Sequence, residues 1–282
     1  MSILSMVDPI SILLDRPHYT ERYNKGAAPG YYESARMWDL CDLIGAELQS
    51  YGVKVGYTRT NKAKDMDLEE RGRMAKGYTF LLSPHSNASE DPKTSYVVAM
   101  YQVPDNCGEM DETSKALAKA LATNVAKLMG AKAQTWATKS AHDRDGNGYK
   151  DDYYGVLRGA HSVHVPAVII ENGFHTNPNQ AKWLMKDTNL KKLAKVIAET
   201  IADFYGLKKE ASSAPAKTEF QVQIKSKTLR IRSGAGTEHK IVGKVKRGEI
   251  YTITKTNAAG TWGRLKSGKG WICIKDTYVK KI

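Results

Sequence analysis

The sequence predicts an α/β domain with a mixed, mostly parallel sheet flanked by helices, followed by a small all-β barrel. Three observations carry this. Short apolar runs alternate with stretches of helical periodicity from residue 11 to about residue 205. Beyond residue 217 the pattern changes to short alternating strands separated by glycine and asparagine turns. Between the two lies EASSAPAK, Glu210 to Lys217, with small residues, a proline and no apolar periodicity, which is the composition of a linker. The organisation expected is therefore one domain over 1–209, a linker over 210–217 and a second domain over 218–282.

Each element has its own warrant. SILLD (11–15) is a buried strand. YESARMWDLCDLIGAELQSYG sets Met37, Leu40, Cys41, Ile44 and Leu48 at helical spacing and closes on a glycine. VKVGYT is a strand, DLEERGRMAKG a short helix, and YTFLLS and SYVVAMYQV two further strands. ETSKALAKALATNVAKLMG is a helix, VPAVIIE a buried strand and NLKKLAKVIAETIADFYG a last helix. RGAHSVHVPAV reads as an approach to that buried strand, where His161 and His164, three apart, point to opposite faces and make poor joint ligands.

The 282 residues suffice for one sizeable domain and a small one. No apolar run approaches the roughly 20 residues that span a bilayer, and MSILSMVDP lacks the charged region and long core of a secretory signal. The expectation is a chain made in the cytoplasm, without stable membrane insertion, that needs other means of release to act outside. Cys41, Cys107 and Cys273 are odd in number and lack metal-ligand spacing, so they read as free thiols. Charge is uneven: residues 210–282 hold 16 Lys and Arg against 5 Asp and Glu, whereas residues 1–209 hold 27 against 25. The basic tail calls for an anionic partner such as nucleic acid, an anionic membrane or a polyanionic cell wall.

In α/β sheets, sites gather beyond the carboxyl ends of strands. That rule selects His18 after SILLD, His85 after YTFLLS and Glu171 at the end of VPAVII, with Glu33 opening the long helix behind the glycine-rich 26–30. Two histidines and a glutamate form a common zinc set with a fourth position open to water, and Glu171 is then a free carboxylate near the metal. Singly, a histidine after a strand is ordinarily a structural hydrogen-bonding group, and a glutamate in a first helical turn complements the dipole. Glu171 is harder to dismiss, because an unpaired charge beside VPAVII costs several kcal/mol.

DRPH with Glu33 fifteen residues on, RTNKAKDMDLEERGRMA, LLSPHSNAS and IIENGFHTN, in that order, resemble the zinc-dependent N-acetylmuramoyl-L-alanine amidases of bacterial cell-wall hydrolases and phage endolysins. The resemblance covers most of residues 11–205. It implies His18, Glu33 and His85 as zinc ligands, Glu171 as general base, and peptidoglycan as substrate, cut between the lactyl group of N-acetylmuramic acid and L-alanine. That family more often has glycine than proline before its first histidine. Arg71 matches a family position read either as structural, pairing with a carboxylate, or as a solvated charge on a helix surface, and His175 reads as an ordinary loop histidine, with a place in the cleft lining as the alternative. The segment LRIRSGAGTEHKIVGKVKRGE…TWGRLKSGKGWI is similar to bacterial SH3-like domains of cell-wall enzymes, which implies wall binding, with Tyr251, Trp262, Trp271 and Tyr278 available either as a binding face or as core. With the basic tail this points to anionic wall polymers rather than nucleic acid, and the lack of a signal favours a phage endolysin.

DRDGNGYKDD, Asp143 to Asp152, lies outside that family's pattern. It has the oxygen side chains and the glycine of a calcium loop at relative positions 1, 3, 5, 9 and 6, but Tyr154 stands at position 12 where a bidentate glutamate is expected. A polar turn is the preferred reading, with Ca2+ bound over Asp143–Asp151 as the alternative. Two rival functions remain at this level: a zinc peptidoglycan peptidase, and a wall- or nucleic-acid-binding protein with an inactive α/β domain.

Overall fold

A computed structural model describes residues 9–20, 22–105, 108–144, 146–209, 219–237, 239–257 and 261–282. The chain divides into two compact units, 1–210 and 211–282. The expected linker, 210–217, lies outside the described residues.

In the first unit six strands form one sheet: β1 (Ser11–Leu14), β2 (Lys54–Tyr57), β3 (Phe80–Asn87), β4 (Tyr96–Tyr101), β5 (Lys132–Trp136) and β6 (Ala167–Phe174). Their order is β2-β1-β3-β6-β4-β5. The first four in space run parallel; β4 is antiparallel to β6 and parallel to β5, so the sheet is mixed and mostly parallel as expected. β5 was not anticipated, because its residues KAQTW are mostly exposed and carry no buried alternation to read.

The helices are α1 (Glu33–Gln49), α2 (Leu68–Arg73), α3 (Glu109–Met129), α4 (Gly155–His161), α5 (Pro178–Met185) and α6 (Asp187–Phe204). Strand parity sorts the core into two layers. Ile12, Leu14, Phe80, Leu82, Val97, Ala99, Val168 and Ile170 face the layer of α1, α3 and α6. Leu13, Leu81, Val98, Met100, Ala167 and Ile169 face the other layer, with Val156, Leu157 and Ala160 of α4. Each fully buried aliphatic side chain contributes about 1.5–3 kcal/mol.

α4 corrects the sequence reading of its segment. Val156, Leu157 and Ala160 have helical spacing, so His161 ends a helix and His164 sits in the turn after it with φ 55°, while β6 begins only at Ala167. α2 and α4 pack backbone to backbone. A Cβ on Gly72 would stand 2.6 Å from the Ala160 nitrogen and press on the Val156 carbonyl, and one on Gly159 would strike the Glu69 carbonyl. Gly72→Ala is therefore expected to cost about 1–3 kcal/mol by forcing the helices apart. Thermal denaturation checks it, and an unchanged midpoint would mean the pair yields without strain.

The second unit is an antiparallel sheet of seven strands: β7 (Phe220–Ile224), β8 (Thr228–Arg232), β9 (Ile241–Lys246), β10 (Ile250–Thr256), β11 (Trp262–Leu265), β12 (Trp271–Cys273) and β13 (Val279–Lys281). Its buried core is wholly aliphatic, Val222, Ile224, Leu229, Ile231, Val245, Ile253, Leu265, Ile272, Ile274 and Val279. Tyr251 is half-buried and packs against this core, Trp262 and Trp271 are half-buried, and Tyr278 is exposed.

Candidate functional site

Parity also positions the polar residues. Counting by twos, Asp15 extends the face of Leu13, Ser83 and His85 extend that of Leu81, and Glu171 extends that of Ile169. All four therefore emerge on the α2–α4 side of the sheet. β3 and β6 set His85 and Glu171 in register as direct neighbours, and a register shift follows between His85 and Asn87. Both residues lie within their strands, since β3 and β6 run on to Asn87 and Phe174, rather than in loops past strand ends.

His18, Glu33 and His85 converge. Their donor atoms all lie within 4.8 Å of one another. His18 Nε2 is 3.0 Å from Glu33 Oε2 and His85 Nδ1 is 3.0 Å from Glu33 Oε1, with the rings at 85°. Glu33 is 2% exposed and is held from behind by the Asn24 Nδ2 donor at 2.7 Å and the Ser86 N–H at 3.0 Å. Burial pushes its carboxyl up, but hydrogen bonds and charge from His18 and His85 outweigh it and hold it well below the usual range. Two imidazole nitrogens and an ionised carboxylate aimed at one point are a donor set that fits a divalent transition ion of the zinc class.

Glu171 is a neighbouring carboxyl without that support. Its Oε2 is buried with no hydrogen-bond partner among the described residues. Burial, and secondarily the charge of Glu33, push it well above the ordinary carboxylate range. Perturbed carboxyls of this kind cluster at functional sites.

Arg71 pairs with a carboxylate, as expected, and the partner is Asp15. Its Nε and Nη2 donate to the two Asp15 oxygens at 2.8 and 2.6 Å. Thr58 Oγ1 and Ser83 Oγ donate to the same carboxylate at 2.7 and 2.6 Å, and Asp15 and Ser83 are fully buried. Ser83 Oγ also lies 3.1 Å from His85 Nε2. Arg59 escaped the sequence reading: it donates to the carbonyls of Arg16, Pro17 and His18, which holds His18 at φ 55°. A non-glycine residue at positive φ persists only where its surroundings enforce it.

A cavity of about 660 Å³ opens over the group, its lining including His18, Tyr19, Tyr23, His85, Arg71, Tyr153 and Tyr154. His175 is buried instead: its Nδ1 donates to the Ser86 carbonyl at 2.7 Å and its ring stacks on Tyr31. His161 lies between Asp105 and Asp152, at 2.6 and 2.9 Å. Burial lowers its pKa, but these carboxylates outweigh the effect and raise it. With Asp105 and Asp111 it forms a second group of close donor atoms that no spacing in the sequence announced. In the Asp143–Asp152 loop, Asp143 accepts from the N–H groups of Gly146 and Gly148 at 2.8 and 2.9 Å, and Asp151 from that of Arg144 at 3.0 Å; Asp145 lies outside the described residues.

Residues 12–203 match the family described as N-acetylmuramoyl-L-alanine amidase. The chain belongs to that amidase family. Residues 227–277 of the same chain match the bacterial SH3 domain. Among solved structures, the amidase resembles the catalytic domain of CwlV from Bacillus (Paenibacillus) polymyxa var. colistinus, at 19% identity over 71% of this chain and 99% of that one, with a TM-score of 0.57. It also resembles an N-acetylmuramoyl-L-alanine amidase from Clostridium difficile 630, at 17% identity over 71% and 98% of the two chains, TM-score 0.58. A third is AmiC2 of Nostoc punctiforme, at 18% over 70% and 97%, TM-score 0.56. At such identities these likenesses speak for the fold. No curated protein matches. No described helix of the amidase is long and apolar enough to cross a membrane.

Proposed function

We propose that this chain hydrolyses peptidoglycan at the amide between N-acetylmuramic acid and L-alanine, with zinc held by His18, Glu33 and His85 and with Glu171 as general base. The observation that carries the reading is the convergence of His18, Glu33 and His85 donor atoms within 4.8 Å, in a chain of the amidase family. When bound, the ion would supply a water of pKa about 7 and polarise the amide carbonyl. Glu171 would serve as the group that takes a proton from the attacking water and returns it to the leaving nitrogen of L-alanine. Asn24 and Ser86 fix the Glu33 carboxylate, and Tyr19, Tyr23, Tyr153 and Tyr154 offer aromatic walls to the glycopeptide in the cavity.

The second unit is assigned to wall targeting. Its aliphatic core leaves Trp262, Trp271 and Tyr278 at the surface of the sheet domain, and the excess of 16 basic over 5 acidic residues in 210–282 attracts anionic wall polymers. A lytic role as a phage endolysin rests on the family resemblance.

Purified walls incubated with the full chain, with and without a chelator, test the proposal. The expected products are new L-alanine amino termini and intact lactyl groups, formed only in the absence of the chelator. New termini at other stem-peptide residues would make it a peptidase, and activity that survives metal removal would remove zinc from the mechanism.

A further inference from the structure

We infer that Ser83 is a positioning residue for the metal centre: a relay from Arg71 through Asp15 and the Ser83 hydroxyl fixes His85 in the tautomer protonated at Nε2, which presents the Nδ1 lone pair to the ion. The inference rests on the proposed ligand role of His85 and adds to it which nitrogen binds and what decides that choice.

The argument is a count of hydrogens. A serine hydroxyl has one proton to give. Ser83 Oγ lies 2.6 Å from Asp15 Oδ2 and 3.1 Å from His85 Nε2. Asp15 can only accept there, because the Arg71 guanidinium holds both its oxygens in a fork at 2.8 and 2.6 Å. The Ser83 proton is therefore committed to Asp15, and towards His85 the same oxygen can only accept. Nε2 must then carry a hydrogen. A neutral imidazole carries one ring hydrogen, so Nδ1 keeps the lone pair, on the edge that faces Glu33.

The backbone makes this arrangement possible. Ser83 and His85 are two apart on β3, so their side chains share a face. Leu14 pairs with Leu82, and the Asp15 N–H donates to the Leu82 carbonyl at 2.8 Å, which carries Asp15 alongside Ser83. The donating hydroxyl and its acceptor are sealed from water, Asp15 and Ser83 being 0% exposed, and Arg71 is 3% exposed. Water therefore cannot take the place of Asp15 as the acceptor of the Ser83 proton. Histidine ligands are commonly oriented by an acceptor on the distal nitrogen; here a hydroxyl is interposed between imidazole and carboxylate.

The test uses the full chain loaded with zinc. Nitrogen-detected NMR of wild type is expected to show His85 with a protonated Nε2 and a metal-bound Nδ1. Ser83→Ala removes the acceptor while leaving Asp15 its bonds from Arg71 and Thr58. Its zinc affinity, read by competition with a chromophoric chelator, should fall by about 10–100-fold, and Ser83→Thr should recover most of the loss. Binding of zinc through Nε2 with a hydrogen on Nδ1, or Ser83→Ala affinity within twofold of wild type, would overturn the relay. If Ser83→Ala does not fold, the wild-type tautomer alone decides. Undiminished zinc binding by His85→Ala would instead refute the ligand assignment, so the two failures are distinct.

Discussion

Glu171→Gln is expected to lower the rate of wall hydrolysis by about 10²–10⁴-fold, the range by which a positioned general base accelerates proton transfer, while zinc stays bound and the fold remains intact. The substitution keeps the shape of the side chain and removes only its ability to take a proton. Stability should move the other way. Burial and the Glu33 charge raise the folded-state pKa of Glu171 well above its ordinary value, so its ionised form opposes folding at any pH above that of the unfolded group. A neutral amide removes the opposition, and the thermal midpoint at neutral pH should equal or exceed that of wild type. Initial rates on purified walls, metal content and a melting curve on one preparation check all three. Near-normal turnover would mean that another group takes the proton.

The same residue shows how far the sequence could be read. VPAVII declared a buried strand, and a carboxylate at its end had no polar neighbour to satisfy it, so Glu171 stood out on desolvation grounds. His18 and His85 were found by a rule about strand ends and Glu33 as the residue opening the long helix, and their donor atoms do meet, although His85 and Glu171 are inside strands. β5 and α5 were silent, one because its exposed residues lack alternation and the other because eight residues show too little periodicity. Ser83 had a legible signal, two residues before a candidate ligand on the same strand, that only its contact with Asp15 makes meaningful. Arg59 had none: three loop carbonyls gathered by one guanidinium depend on a turn whose course no local pattern encodes.

Arg71→Met is expected to destabilise the protein by about 3–5 kcal/mol, the cost of leaving one partner of a buried pair uncompensated. Its guanidinium is the only charge hydrogen-bonded to the Asp15 carboxylate among the described residues, and hydroxyls of Thr58 and Ser83 remain as poorer substitutes. Charge and packing can be separated by pH. Burial pushes the Asp15 carboxyl up, but the Arg71 charge with the hydrogen bonds of Arg71, Ser83 and Thr58 outweighs it and holds it at about 2, against an ordinary 3.8. A depressed carboxylate stabilises the fold fully above its unfolded pKa and loses that contribution as pH falls from 3.8 through about 2. In wild type this linkage is worth about 2 kcal/mol at neutral pH, at 1.36 kcal/mol per unit. Without Arg71 the folded-state pKa rises and protonated Asp15 no longer needs a cation, so the deficit of the variant should be largest at pH 7 and shrink towards pH 3. Urea denaturation of the metal-free full chain at the two pH values measures it. An equal deficit at both would assign the loss to the packing of the arginine stem against α4 and the sheet, and would leave the orientation of His85 without its electrostatic anchor.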